Sequence, residues 1–361
     1  SSASSRIGLG GAIAATLDVL AEALWRQFQG GTPEARAVAA RAVDLRDRPG
    51  RSRLDLAVSL RNLAIVSNQS GDYEGALALF ERVLQIQESE LGPEHELVAR
   101  ALTNLGAMLT YLGDYAAARD CQERAVDILR RKGDAARRPV ANALANLGAV
   151  LGEMGDLAAA RAACEESLRI REEIGAGHPD MALSLDNLGE VLLLQGDRTA
   201  ARPLLERALR LREAGLGEDH PHVALSLSNL GNLLLETGDF KSALANLERA
   251  AAIREKALGP DHMLVAASLT AVGEARLDLG DVSGARDVLE RAFDIETRTL
   301  DPRHPGRTRT LALLAQALRA GGETTAALDQ GLLAERVGRE HFRAVARSLS
   351  EHEAQLAARL D

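Results

Sequence analysis

Residues 101–118 read ALTNLGAMLTYLGDYAAA, and most of the chain repeats the pattern of this stretch. Its Gly-Asp step returns every 41 or 42 residues. A fixed period of this length is typical of a solenoid, in which each unit buries its apolar face only by stacking on its neighbours. The steps stand at Gly71-Asp72, Gly113-Asp114, Gly155-Asp156, Gly196-Asp197, Gly238-Asp239 and Gly280-Asp281, and the last unit has Gly322-Glu323.

Each period predicts two helices joined by a tight turn. The apolar positions of the sample unit share one helical face: Leu97, Ala101, Leu102, Leu105, Met108 and Leu109. This spacing predicts a first helix over residues 96–112. Gly113 can end that helix in a left-handed conformation, and Asp114 can cap a second helix over residues 115–131. Because the turn is so short, we expect the two helices to form an antiparallel hairpin.

Glycine also recurs in the middle of the first helices, where it costs about 1 kcal/mol relative to alanine. A costly residue that returns in successive units predicts close packing between the two helices of each unit. The positions are Gly106, Gly148, Gly189, Gly231 and Gly273.

The composition favours an all-α protein that does not bind nucleic acid or membranes. Hydrophobic residues make up 46% of the chain but aromatic residues only 2%, so alanine and leucine, which favour helices, must form the core. The net charge of −9 argues against non-specific binding to nucleic acid or to anionic membranes. No run of 18 apolar residues is present, and we expect a cytoplasmic protein.

The order Asn-Leu-Gly, Gly-Asp, then Ala-Leu, with Leu-Gly-x-x-His-Pro between units, resembles the 42-residue tetratricopeptide (TPR) repeats of kinesin light chain. It is equally similar to bacterial TPR arrays fused to signalling ATPases or to caspase-like CHAT proteases. The resemblance implies a right-handed superhelical solenoid of antiparallel helix pairs. It also implies that the first helix of each pair lines a concave groove.

The sequence divides into four regions. We expect disorder over residues 1–11, a degenerate helix pair over residues 12–50 (Ala12–Phe28 and Pro33–Arg46), seven TPR-like units over residues 51–336, and a helical extension over residues 337–361. Ser350 with Glu353 fits a capping box that opens a last short helix. The stretch from Arg339 to Glu351 resembles the helical segment that precedes the protease domain in TPR–CHAT proteins.

The polar residues that could carry chemistry do not converge. One histidine stands in each of five inter-repeat connections, so these side chains cannot meet on one metal ion and are expected to order the loops or cap helices: His95, His178, His220, His262 and His304. Cys121 and Cys164 fit buried free thiols, with an inter-repeat disulfide or a redox role as alternatives. No phosphate-binding loop, zinc-protease motif or nucleophile elbow is present. The chain is predicted to be no enzyme and to hold no metal or other cofactor.

An asparagine stands nine residues before the turn glycine in five successive units: Asn62, Asn104, Asn146, Asn187 and Asn229. By similarity to kinesin light chain these side chains point into the groove. An amide both donates and accepts hydrogen bonds, so such a ladder can pair with the backbone of an extended peptide. The alternative is that the amides bond to the adjacent repeat and set the pitch of the array.

The resemblance also assigns other first-helix positions to the groove. The early units place Arg61, Arg100 and Tyr111 there, together with Gln69, Thr103 and Asn142. The later units place Asp186, Glu190, Asn232, Glu236, Glu274 and Asp278 there. A concave acidic surface would favour a basic segment of the partner in the C-terminal half. The alternative is that these acids are solvated or paired with neighbouring arginines.

These observations predict a protein–protein interaction scaffold that binds a protein or peptide in its groove. The resemblance implies the sensor or regulatory region of a CHAT protease system, with the protease domain in the same chain or in a partner. The alternatives are a self-associating structural scaffold and the sensor region of a signalling ATPase.

Overall fold

The structure is a computed structural model that describes residues 2–28, 33–175, 180–300, 304 and 306–357. These residues form sixteen α-helices, a short 3-10 turn over Gly133–Ala136 and no β-strand, which confirms the all-α prediction. The helices are Ser2–Phe28 (α1), Pro33–Arg46 (α2), Arg53–Gln69 (α3), Tyr73–Leu91 (α4), Glu96–Leu112 (α5), Tyr115–Arg130 (α6), Arg137–Glu153 (α7), Leu157–Ile174 (α8), Met181–Leu194 (α9), Arg198–Leu216 (α10), Pro221–Glu236 (α11), Phe240–Leu258 (α12), Met263–Asp278 (α13), Val282–Thr299 (α14), Gly306–Ala320 (α15) and Thr324–Ala357 (α16).

The chain forms two compact units, residues 1–229 (unit 1) and residues 230–361 (unit 2), and α11 spans the division between them. From α1 to α10 in unit 1, and from α12 to α16 in unit 2, each helix packs on the next one along the chain. The odd-numbered helices also contact one another: α1 with α3, α5 with α7 and α7 with α9 in unit 1, and α13 with α15 in unit 2. We call these odd-numbered helices the first-helix wall of each unit.

The Gly-Asp turns work as the sequence predicts. Gly113 has φ of 83°, a left-handed conformation that glycine adopts without a side-chain clash. The backbone N–H of Asp114 then donates to the carbonyl oxygen of Leu109 at 2.9 Å, which closes the end of α5. The Asp114 carboxylate accepts the N–H of Ala117 at 3.2 Å and caps α6. The same cap forms at Asp72, Asp156, Asp197, Asp239 and Asp281.

The mid-helix glycines are confirmed as close-packing positions. A Cβ atom on Gly189 would lie 2.7 Å from Leu205 Cδ2, and one on Gly231 would lie 2.7 Å from Leu247 Cγ. Real Cβ atoms do not approach other atoms so closely, so a larger residue would push the two helices of a pair apart.

Both ends of the chain differ from the sequence prediction. Helix α1 begins at Ser2, whereas we expected disorder through about Gly11. The glycines in this stretch lower helix propensity, but none of them removes a backbone hydrogen bond as proline would. Helix α16 runs unbroken to Ala357, so the predicted break and capping box at Ser350 are wrong. No glycine or proline stands between Arg339 and Ala357 to stop the helix. The connection between the two predicted helices of the N-terminal pair, at residues 29–32, lies outside the described residues.

Candidate functional site

The asparagine ladder divides into two groups. Asn62 is buried, with 3% of its surface exposed, and its Nδ2 donates to Asp18 Oδ1 of α1 at 3.3 Å. Asn187 Nδ2 donates to the carbonyl oxygen of Ala145, one repeat earlier, at 2.7 Å. These two amides therefore hold neighbouring helix pairs together, which is the alternative that the sequence left open.

The other three ladder residues are half-buried, and within the described part of the chain their side chains make no hydrogen bond: Asn104, Asn146 and Asn229. Asn104 and Asn146 occupy equivalent places on α5 and α7, which are adjacent in the first-helix wall. Their amides are available to a partner.

Asp186 does not face the groove as expected. Only 1% of its surface is exposed, and its carboxylate accepts hydrogen bonds from Arg212 of α10 and Ser226 of α11. Burial raises the pKa of Asp186 to about 6, although the Arg212 charge and the two hydrogen bonds act in the opposite direction. The position directly before the ladder asparagine points between the helices, where a short carboxylate meets the arginine.

The same arrangement also occurs near the N-terminal end of unit 1. Asp18 of α1 accepts from Arg46 of α2 at 2.5 Å and from Ser59 of α3 at 3.0 Å, and Arg46 also donates to Ser59 at 2.9 Å. We call each group of aspartate, arginine and serine an inter-repeat triad. Sequence reasoning missed these triads, although the positions of their members within the 42-residue period contain the signal.

A pocket of about 370 Å³ opens between α3, α5 and α7 of unit 1. Three predicted site residues, Arg61, Arg100 and Asn104, line it. Burial, and then repulsion from Arg100, lower the pKa of Arg61. The other lining residues are Val83, Gln87, Leu97, Ala101, Thr103, Leu129, Arg138, Pro139 and Asn142. Sequence reasoning missed Gln87 and Arg138 because they lie outside the positions that the family resemblance assigns to the groove.

Two other predicted residues of unit 1 lie beyond this pocket. The Tyr111 ring is 65% exposed and stacks on Tyr73, with 5.5 Å between ring centroids and 13° between planes. Glu190 of α9 is solvent-exposed, yet the protein surrounds it closely enough for desolvation to raise its pKa. Repulsion from Glu153, and then from Asp186, raises it further.

The predicted site residues of unit 2 differ in their surroundings. Glu274 forms an ion pair with Arg309 of α15, a basic residue that was not among those expected in the groove. Asp278 is exposed, and loss of hydration followed by repulsion from Glu274 raises its pKa. Glu236 is exposed, and Asn232 Oδ1 is buried without a hydrogen-bond donor among the described residues.

The histidines of the connections act as predicted. In each described case the Nδ1 atom accepts the backbone N–H two residues later at 3.1 Å, which caps the next helix: His95, His220, His262 and His304. His178 lies outside the described residues. Among the residues that the structure describes, no three His, Cys, Asp or Glu side chains group together to hold a metal ion.

Both cysteines are free thiols. Burial raises the pKa of Cys121 to about 11 and that of Cys164 to about 12, so neither is ionised at neutral pH. A thiol in this state is a poor nucleophile. In the described ranges, no helix is both long enough and apolar enough to cross a lipid bilayer.

This chain is similar to several solved structures. One is a putative kinesin light chain from Podosopora anserina with nearly identical TPR-like repeats, at 23% identity over 56% of this chain and 97% of that one, with a TM-score of 0.48. A Rap protein complexed with competence and sporulation factor is 16% identical over 94% of this chain and 99% of that one, with a TM-score of 0.60. A Rap conjugation gene regulator of a plasmid, in complex with a Phr peptide, is 14% identical over 92% of this chain and 97% of that one, with a TM-score of 0.64. At these identities the likeness to the two Rap structures shows the fold alone.

The search of curated proteins found no match. The family model for the tetratricopeptide repeat matches residues 55–131, 139–214, 180–256, 222–295 and 264–340. These matches cover well over half of the chain and follow the repeat seen in the helix pairs. The protein therefore belongs to the tetratricopeptide repeat family.

Proposed function

We propose that the first-helix wall of unit 1 binds an extended peptide segment of a protein partner. The observation that carries this proposal is the division of the asparagine ladder. Asn62 and Asn187 use their amides to join helix pairs, whereas Asn104 and Asn146 present theirs without a hydrogen-bond partner in the described chain. Two amides at equivalent places on adjacent helices can each donate to a peptide carbonyl and accept from a peptide N–H.

The comparison with Rap proteins supports a peptide as the ligand. The two Rap structures were solved with a factor or a peptide bound, and their fold extends over almost the whole of this chain. This support is an analogy of fold, because one fold can host many ligands. The unpaired amides supply the argument that belongs to this protein.

Selection from a random peptide display library tests the proposal. We expect the protein to enrich peptides, and we expect the double variant Asn104→Ala and Asn146→Ala to bind them roughly 5- to 100-fold more weakly, since each hydrogen bond contributes about 0.5–1.5 kcal/mol. Its thermal midpoint should stay near that of the parent, because neither amide bonds within the described protein.

Two control variants sharpen this experiment. The pair Gln85→Ala and Asn246→Ala removes two amides from second helices and should leave binding unchanged. The pair Asn62→Ala and Asn187→Ala should lower stability. Equal binding by the Asn104/Asn146 variant and its parent would show that the wall is not the binding surface.

From the sequence resemblance we also propose that the array is the sensor or regulatory region of a bacterial, cytoplasmic caspase-like CHAT protease system. The residues from Arg339 to Glu351 carry this part of the proposal. The coding sequence downstream of Asp361 tests it. A caspase-like domain there supports the protease system, and an ATPase domain would favour the signalling alternative.

A second candidate function is self-association. Leu328 and Leu332 lie one turn apart on α16 and are 61% and 50% exposed, and Val19 of α1 is 68% exposed. Exposed apolar side chains on a helix face favour contact with another protein surface. Light scattering separates the two functions: a mass that stays monomeric over a wide concentration range contradicts self-association and leaves peptide binding open.

A further inference from the structure

The inter-repeat triad is absent from the periods between its two copies in unit 1, and the period that ends at Ala101 replaces all three of its members. Counting by the 41- or 42-residue period, Gln87 occupies the place that Arg46 and Arg212 hold in the two triads. Arg61 directly precedes a ladder asparagine, as Asp186 does, and Ala101 stands one period after Ser59. The carboxylate of the triad is thus replaced by an arginine, its arginine by an amide and its serine by alanine.

This replacement produces a cationic pocket. Gln87, Arg61 and Ala101 all line the 370 Å³ pocket, and Arg100 and Arg138 complete its wall. None of the residues that line it is a carboxylate. Among the described residues, Arg61, Arg100 and Arg138 form no ion pair within 4 Å, although arginines elsewhere on the surface are commonly paired with glutamate. Repulsion from Arg100 contributes to the lowered pKa of Arg61, whereas the carboxylates of Glu22 and Asp18, which do not line the pocket, act in the opposite direction.

A second observation points to a ligand with a hydrogen-bond donor. Gln87 is 8% exposed, and its Oε1 atom is buried without a donor among the described residues. A buried acceptor that lacks a donor costs about 1–3 kcal/mol, so it favours a ligand that supplies one. A ligand that satisfies the whole pocket carries a negative group for the arginines and a nearby N–H for Gln87.

We propose that this pocket binds an acidic side chain of the partner peptide, with the carboxylate against Arg61, Arg100 and Arg138 and a peptide N–H donating to Gln87 Oε1. The inference rests on the proposed peptide-binding function and adds its specificity. Guanidinium groups recognise carboxylates through charge-assisted, often paired hydrogen bonds. The overall charge of −9 repels acidic peptides, so any such binding must come from a local site.

Fluorescence anisotropy with a defined probe tests the proposal. The probe is an eight-residue peptide of alternating glutamate and glycine, labelled at its amino terminus and amidated at its carboxyl terminus. The reference peptide has glutamine in place of glutamate. We expect the glutamate peptide to bind at least tenfold more tightly than the reference, and the difference to shrink as salt is raised.

Three variants locate the site. Arg100→Gln with Arg138→Gln should weaken binding of the glutamate peptide tenfold or more, since both side chains are exposed and their loss should not disturb the fold. Arg130→Gln with Arg210→Gln removes the same charge from second helices and should change binding less than twofold. Gln87→Met keeps the side-chain length but removes the acceptor, and should weaken binding several-fold without lowering the thermal midpoint.

The outcomes separate the proposed acidic specificity of the pocket from the more general proposal that the first-helix wall binds a peptide. Equal affinity for the two peptides, equal weakening by the two arginine pairs, or binding only by a probe with a free carboxyl terminus would each overturn it. A single-stranded oligothymidine that binds more tightly than the glutamate peptide would overturn it as well. If the display library yields peptides that depend on Asn104 and Asn146 while the glutamate peptide does not bind, peptide binding stands and acidic specificity fails.

Discussion

At the scale of single residues, the mid-helix glycines set how closely two helices approach. A Cβ atom on Gly273 would lie 2.5 Å from Leu289 Cγ, whereas one on Gly331 of α16 would meet no atom within 4 Å. Substitution by alanine should therefore have opposite effects on stability at these two positions of unit 2. We expect Gly273→Ala to destabilise the protein by about 1–3 kcal/mol through overpacking. We expect Gly331→Ala to stabilise it by about 0.4–1 kcal/mol, because alanine restricts the unfolded chain.

Urea unfolding of the two variants, followed by circular dichroism, measures both effects. A loss of stability in Gly331→Ala, or no loss in Gly273→Ala, would contradict the packing argument.

Glu296 should make unit 2 sensitive to pH. Its surface is 4% exposed, and burial raises its pKa from 4.5 to about 7 even though Thr310 donates to its Oε1 at 2.7 Å and Arg307 is nearby. The folded state therefore binds a proton more tightly than the unfolded state does. The contribution of Glu296 to the free energy of unfolding is complete below pH 4.5 and is lost as the pH rises to about 7.

Glu296→Gln should remove this part of the pH dependence, because an amide does not ionise and can still accept from Thr310. Thermal midpoints at pH 5 and pH 7.5 give the comparison. Asp186, whose pKa is raised to about 6, also lowers the stability of both the parent and the variant as the pH rises over this interval. A parent and a variant that lose equal stability over this interval would exclude Glu296 as the cause.

At the scale of helices, the turn aspartates fix where each second helix begins. Asp197 accepts the N–H of Ala200 at 3.0 Å at the start of α10. We expect Asp197→Ala to cost about 1 kcal/mol of folding free energy, since it leaves a helix N-terminal donor without its cap. Asp197→Asn keeps an acceptor oxygen and should cost less. Chemical denaturation of both variants tests the order, and an alanine variant as stable as the asparagine variant would refute it.

The helix pairs could be predicted because each depends on contacts within its own period. Gly113 and Asp114 act on adjacent backbone groups, and Gly106 contacts a helix that starts within ten residues, so the repeated spacing contains the information. The predictions for the two chain ends were wrong for a related reason. Without neighbouring copies to compare, local signals such as Ser350 are ambiguous, and the absence of any helix-breaking residue outweighs a weak capping pattern.

The candidate site was only partly predictable because its members come from different periods. Asn104 and Arg100 follow from the family resemblance, but Gln87 and Arg138 enter the pocket from other helices. Asp186 was misplaced for the same reason, since its partners Arg212 and Ser226 lie 26 and 40 residues away. Comparison of each period with the triads would have revealed the exchange at Arg61 and Gln87.

At the scale of the whole molecule, contacts between successive helices determine how instability spreads. In unit 1, the main helix contacts of α7 are with α5, α6, α8 and α9. In an array of this kind, stability is approximately the sum of unit and nearest-neighbour contributions. A local defect should therefore expose its own pair and the adjoining pairs before it reaches the end of the unit.

Gly148→Ala tests this expectation in the middle of unit 1. A Cβ atom there would contact Cys164 Sγ and lie 3.1 Å from the Ala160 carbonyl oxygen, so α7 and α8 must separate. In hydrogen exchange followed by mass spectrometry, we expect protection to fall most in α7 and α8, less in α5, α6, α9 and α10, and least in α1 and α2. A uniform fall from α1 to α10 would mean that unit 1 opens as one cooperative body. Graded loss would instead mean that the pocket between α3, α5 and α7 can change its stability without unfolding the rest of the unit, so that a bound peptide should protect these helices first.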